Sequence, residues 1–207
     1  CSSDLSHELR TPLTPIKNAL SILSSGRCGI LSEAASKFID MAKRNVENLT
    51  NIINDILDIN KIEAGKMDFN YQLMNIHSVI ERVKNDFDCV AKEHNITFTT
   101  DEQLNLPEIF ADSQRLGQVL TNLVSNAIKF TPEGKAITIK SELLNSDNMY
   151  KNPYFEEELN SLNGNYVVIS VEDEGIGMKS EDLQKAFDKF TQIENSLSRK
   201  VGGTGLG

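Results

Sequence analysis

The sequence predicts an α+β protein. An N-terminal helical hairpin leads into a domain with helices on one face of an antiparallel or mixed sheet. Two observations carry this. Over the first 64 residues the apolar positions keep helical spacing. From Met67 onward, strand-like and helix-like stretches mix without a βαβ rhythm, which argues against an all-parallel sheet.

The first helix spans residues 1–25. Leu5, Leu9, Leu13, Ile16, Leu20 and Leu23 fall on one stripe at about 100° per residue, and His7 lies roughly opposite. Thr11 sits one turn from His7 and Glu8 beside it, so the helix presents an imidazole, a carboxylate and a hydroxyl to solvent. Pro12 removes a backbone donor just past the histidine. Taken alone, an exposed histidine of this kind is usually just a surface residue. Ser24, Ser25, Gly26 and Gly29 mark a turn. A second helix spans 32–64, with Ser32 at its start and Gly65 at its stop. Ile39, Val46 and Ile53 repeat every seven residues, as do Ala42, Leu49 and Ile56, and Phe38, Ile52 and Ile59 widen the stripe. One hairpin cannot bury so broad a stripe. Two hairpins in a four-helix bundle would, and packing on the downstream domain is the alternative.

Further on, 69–74 reads as a strand and 76–93 as an amphipathic helix with Val79, Ile80, Val83, Phe87 and Val90 inward. A strand at 96–100 is expected to end in a polar turn at Asp101-Glu102. A brief strand at 109–111 precedes a helix capped by Asp112-Ser113 and running to about Phe130. Segments 136–143 and 166–171 alternate like paired antiparallel strands. Between them, 145–165 is polar and acidic, too long for a tight hairpin, and reads as a surface insertion. A short helix follows at 180–187, then a polar, glycine-rich stretch to Gly207.

Composition narrows the function. The chain has 207 residues and a net charge of −9, with no basic surface to neutralise phosphates, which argues against nucleic acid as a partner. No apolar run is long enough to span a bilayer. Cys1, Cys28 and Cys89 are scattered, form no metal-like cluster and suit a reducing cytosolic setting. The absence of an initial Met reads as a piece of a longer protein, so any membrane contact is expected through segments outside this chain.

Three stretches suggest nucleotide chemistry. On the helix after Asp112, Leu116, Val119, Leu120, Leu123 and Ala127 form the expected buried stripe, and Arg115, Asn122, Asn126 and Lys129 a polar one. Mg²⁺ prefers oxygen ligands, which an Asn carbonyl supplies, and Lys129 can meet a phosphate. A solvated helix face is the plainer reading of the same pattern. Asp173-Glu174-Gly175-Ile176-Gly177 offers a carboxylate to an exocyclic amine, with glycines that let backbone approach a flat ring. Gly202-Gly203-Thr204-Gly205-Leu206-Gly207 can curl N–H groups around phosphates, although it lacks the Gly-Lys-Ser/Thr of a P-loop. Each is weak alone.

Their order is not weak. S-H-E-L-R-T-P-L-T at 6–14 resembles the phospho-acceptor box of sensor histidine kinases. L-x-Q-V-L-x-N-L-x-x-N-A-x-K-F-T at 116–131, D-x-G-x-G at 173–177 and G-T-G-L-G at 203–207 resemble that family's N, G1 and G2 boxes, and A-F-D-K-F at 186–190 its F box.

The resemblance implies a dimerisation and histidine-phosphotransfer hairpin over 1–66. It implies an α/β-sandwich ATP-binding domain of the gyrase, Hsp90, histidine kinase and MutL type over 67–207. It implies ATP and Mg²⁺ as cofactors, and a homodimer, a response regulator receiver domain and no nucleic acid as partners. His7 would take the γ-phosphoryl group, with Glu8 fixing its tautomer, and pass it to a regulator Asp. Thr11 would serve dephosphorylation of the regulator. Asn126 would hold Mg²⁺, supported by Asn122. Lys129 and Phe130 would line the phosphate and adenine sides, and Asp173 would hold the adenine amine. Gly175, Gly177, Phe190, Gly203, Thr204, Gly205, Leu206 and Gly207 would shape the pocket and its lid. The implied location is the cytosolic portion of a membrane-anchored sensor. Two departures stand out. Thr191-Gln192 follows Phe190 where many members place an Arg, leaving Lys189, Arg199 or Lys200 to substitute. The family's domain also continues past G-L-G, so its C-terminal end is expected to lie beyond Gly207. An ATP-gated conformational machine and a non-catalytic dimer scaffold remain as alternatives.

Overall fold

The computed structural model describes residues 2–145, 164–183 and 185, with the backbone alone for 2–10, 145, 180 and 181. The chain forms two compact units that divide between Asp68 and Phe69.

The first unit is the expected hairpin. Helix α1 is Ser2–Ser24 and runs through both Pro12 and Pro15. Helix α2 is Glu33–Glu63. The Ser32 Oγ accepts the Ala35 N–H at 3.2 Å and so satisfies one of the donors left open at a helix start. At the other end Gly65 takes φ +62°, and Lys66 N donates to the Lys61 carbonyl at 2.8 Å, a left-handed stop that suits glycine. Leu13 and Leu57 are buried, but Phe38, Met41 and Leu49 on α2 stay exposed in the single chain.

The second unit holds a closed core. Strand β1 (Gln72–Met74) pairs antiparallel with β3 (Ile109–Ala111). Strand β4 (Ala136–Asn145) lies between β2 (Thr97–Glu102), which is parallel to it, and β5 (Asn165–Asp173), which is antiparallel. Helix α3 (Ile76–Glu93) and helix α4 (Ser113–Phe130) supply Ile76, Ile80, Val83, Leu120 and Val124 to the core, against Ile137 and Ile139 of β4. A short helix α5 covers Ser180–Leu183. The three-stranded sheet is thus mixed, one of the two arrangements, antiparallel or mixed, that the sequence left open.

Four expectations need correcting. The strand expected at 69–74 covers only Gln72–Met74. Strand β2 does not turn at Asp101-Glu102 but runs through both, with Asp101 opposite Lys140 and Glu102 opposite Ser141. The polar side chains tolerate this because Glu102 is held by His77 Nδ1 at 2.6 Å. On α3, Val90 is 37% exposed and Ala91 takes the inward position one turn beyond Phe87. On α4, Val119 and Leu123 are 54% and 45% exposed, whereas Gly117, Val124 and Ile128 are buried. Gly117 lies on the buried side of the helix, facing Val79 and Arg82 of α3. A Cβ there would lie 2.6 Å from Arg82 Nη2, which itself donates to the Ser113 carbonyl at 3.0 Å. A glycine inside an otherwise regular helix was the available signal. The segment 145–165 and most of the expected helix at 180–187 lie outside the described residues.

Candidate nucleotide site

The site begins at a helix cap. The Asp112 Oδ1 accepts N–H bonds from Gln114 at 2.9 Å and Arg115 at 3.1 Å, and Oδ2 accepts one from Asn70 at 2.8 Å. The bond from Asn70 and those from the helix hold its carboxyl below the usual carboxylate range. This fixes where α4 starts. With Leu120, Val124 and Ala127 inward, residues 122, 126 and 129 come out on the opposite side at about 100° per residue. Asn122 and Lys129 are exposed and Asn126 is half-buried. Val119 and Leu123 flank this face, so part of what reads as core in the sequence borders the polar stripe instead.

The end of α4 is joined to the D-x-G-x-G turn. The Phe130 carbonyl accepts the Ile176 N–H at 3.3 Å. Asp173, exposed at the end of β5, accepts the Gly175 N–H on Oδ1 at 2.8 Å. A Cβ on Gly175 would sit 2.8 Å from the Phe130 carbonyl oxygen and still closer to Asp173 Oδ1, so no side chain fits. Gly177 takes φ +66°, the left-handed region that favours glycine. The structure therefore brings Gly175 and Ile176 against the Phe130 carbonyl, one turn beyond Asn126, with Asp173 tied to the same turn through Gly175. Glu174, which sequence reasoning passed over, is also placed here: its Oε2 accepts the Ala136 N–H at 3.0 Å.

Among the described residues no cluster of three His, Cys, Asp or Glu suits a metal. A cation at Asn126 would take most of its ligands from phosphates and water, which fits Mg²⁺. In the first unit, His7 and Glu8 lie on the α1 backbone, and Thr11 is exposed one turn later. Phe190, Gly203, Thr204, Gly205, Leu206 and Gly207 lie outside the described residues, as do Lys189, Arg199 and Lys200.

Two family models match the chain. Residues 1–65 match the His Kinase A (phospho-acceptor) domain, and 111–207 the histidine kinase-, DNA gyrase B- and HSP90-like ATPase. The chain belongs to the histidine kinase family. It is 32% identical to the sensor histidine kinase WalK of Bacillus subtilis over 99% of this chain and 30% of that one. It is 32% identical to the autoinducer 2 sensor kinase/phosphatase LuxQ of Vibrio parahaemolyticus over 98% of this chain and 22% of that one. The solved complex of histidine kinase ThkA with response regulator protein TrrA matches with a TM-score of 0.55 and 25% identity, over 96% of this chain and 52% of that one. The chain spans less than a third of the length of the curated relatives it matches. The expected fold class, a helical hairpin followed by an ATPase-type domain, stands.

Proposed function

We propose that this chain autophosphorylates His7 from ATP, passes the phosphoryl group to an aspartate of a response regulator, and also dephosphorylates that regulator. The observation that supports the reading is the joining of the Asp173 turn to Phe130 at the end of α4, the helix whose polar stripe bears Asn122, Asn126 and Lys129. Residues 1–66 form the dimerisation and phosphotransfer domain and 67–207 the ATP-binding domain. The regulator partner is supported by the ThkA–TrrA complex, and the dephosphorylation by the description of LuxQ as a kinase/phosphatase.

In this reading Asp173 accepts the adenine amine through Oδ2, since Oδ1 already holds Gly175. Phe130, Gly175 and Gly177 form the walls beside the ring. Lys129 meets a phosphate as a point charge. Asn126 holds Mg²⁺, with Asn122 beside it; the ion, when bound, neutralises charge on the phosphates. By the family resemblance alone, Phe190, Gly203, Thr204, Gly205, Leu206 and Gly207, which lie outside the described residues, would complete the pocket and its lid. Neutral His7 attacks with one ring nitrogen while Glu8 accepts a hydrogen bond from the other, fixing the tautomer. ADP leaves and the proton stays on the ring. Thr11 orients a water toward the regulator's phospho-aspartate.

A homodimer is supported by Phe38, Met41 and Leu49, exposed along α2 at 69%, 51% and 45%. None of the described helices is long and apolar enough to cross a membrane. The reading places this portion in the cytosol, anchored through segments outside it.

The test is incubation with γ-labelled ATP. Acid-labile, base-stable label on the wild type and none on His7→Ala is expected. Unlabelled wild type, or labelled His7→Ala, would overturn the assignment.

A further inference from the structure

We propose that Glu174 is a positioning residue that ends the β4–β5 ladder and so aims Asp173 at the adenine amine. This rests on the nucleotide-site reading above. Strands β4 and β5 pair as far as Ile137 opposite Asp173. The next pair is Ala136 and Glu174, whose position requires the two residues to exchange both N–H···O=C bonds if the ladder continues. They exchange one. The Glu174 N–H donates to the Ala136 carbonyl at 3.1 Å. The Ala136 N–H, however, is taken by Glu174 Oε2 at 3.0 Å rather than by the Glu174 carbonyl.

The side chain thus stands in for its own backbone carbonyl. That releases the main chain from the sheet immediately after residue 174, and the strand ends at Asp173. Only a chain that leaves here can fold the Gly175 N–H back onto Asp173 Oδ1 and bring the Ile176 N–H to the Phe130 carbonyl. Glu174 is itself exposed and is held to β4 at two points, so it is a strut rather than a ligand. Without the carboxylate, the Ala136 N–H is free to draw the Glu174 carbonyl into the ladder. The turn then competes with one more rung of sheet, and the Asp173 carboxylate loses its fixed direction.

The geometry makes a specific demand on length and acceptor. Glutamine keeps an oxygen at the same reach. Aspartate is one methylene shorter and falls short of Ala136. Alanine removes the acceptor. The experiment titrates the whole chain calorimetrically with ATP and with inosine triphosphate, which lacks the exocyclic amine, and records melting without nucleotide. Glu174→Ala and Glu174→Asp are expected to raise the Kd for ATP about fivefold, the size of one hydrogen bond. Glu174→Gln is expected to stay within twofold of wild type. The affinity for inosine triphosphate should move less than twofold in all three, so the loss falls on the amine contact. Unchanged ATP affinity in Glu174→Ala, equal losses for both nucleotides, or failure of glutamine to rescue would overturn the proposal while leaving the site reading in place. If Glu174→Ala does not fold, the glutamine and aspartate variants decide by the same criteria. Wild-type protein that does not bind ATP would overturn the site reading and this proposal with it.

Discussion

The two units of the chain solve the same problem differently. The ATPase-type unit buries its large apolar side chains against one another, and Ile76, Ile80, Ile137 and Ile139 are fully enclosed. The hairpin keeps Phe38, Met41 and Leu49 in water. Two helices cannot close a core around a stripe as wide as that on α2, whereas helices on a sheet can. The difference teaches where each unit's stability comes from. On the proposed dimer, the second unit draws its stability from its own core, and the first would gain much of its own from another copy.

The largest expected effects break that contrast directly. Ile53→Asp puts a charge on the α2 stripe and should cost several kcal/mol of association, on the order of 3–5, because nothing there compensates it. Light scattering at micromolar concentration should show dimer for wild type and monomer for the variant. Monomeric wild type would remove the difference between the units. Ile80→Ala, by contrast, hollows the closed core and should destabilise the second unit by about 2–5 kcal/mol. Its melting loss should not depend on protein concentration. A concentration-dependent loss would mean that the second unit also leans on a partner.

Much of the second unit could be read from the sequence because its polar punctuation is local. Asp112 caps α4 and Asn75 caps α3, where its Oδ1 accepts the His77 N–H at 2.9 Å, and the helices start where such residues say they should. The errors came from tertiary contacts that periodicity does not encode. The buried side of α4 runs through Gly117, Leu120, Val124 and Ile128 and leaves Val119 and Leu123 outside, and β4 carried β2 through Asp101 and Glu102. The D-x-G-x-G turn was legible as a motif. Its attachment to Phe130 and the strut at Glu174 were not, since both depend on which residue ends the β4–β5 register.

Next in size come the two activities. Asn126→Ala should lower Mg-ATP affinity or turnover by about a hundredfold, as removal of one positioned ligand does, with melting unchanged because the side chain faces away from the core. Calorimetric titration checks it, and wild-type affinity and turnover would take the metal away from Asn126. On the hairpin, Thr11→Ala should keep autophosphorylation and lose regulator dephosphorylation by about tenfold or more, because a methyl cannot place a water in line. The readout is decay of phospho-regulator with ADP present. Decay equal to wild type would leave Thr11 without a catalytic role. Together these variants sharpen the comparison, since one disables the second unit's chemistry and the other half of the first unit's.

The smallest effect is a pH dependence that belongs to the second unit. His77 Nδ1 lies 2.6 Å from Glu102 Oε2, tying the first turn of α3 to the end of β2. The hydrogen bond to Glu102, then its charge, raises the His77 pKa above the ordinary value, with Glu81 one turn along adding a little. A group whose pKa is raised on folding binds its proton more tightly in the folded state. The stabilisation is therefore complete below the unfolded pKa of about 6.5 and is lost as pH rises through the higher folded value. The His77 side chain is 63% exposed, and its positive charge sits at a helix N-terminus, which opposes the gain. The net effect should stay below about 1 kcal/mol. Melting of the second unit should fall slightly as pH climbs from 6 through the folded pKa, on the order of a few degrees at most. His77→Gln should remove that part of the slope and leave the hairpin's transition where it was. A slope in the second unit unchanged by His77→Gln would show that the pair contributes nothing to it. A slope lost from the hairpin instead would mean that the two units do not melt apart.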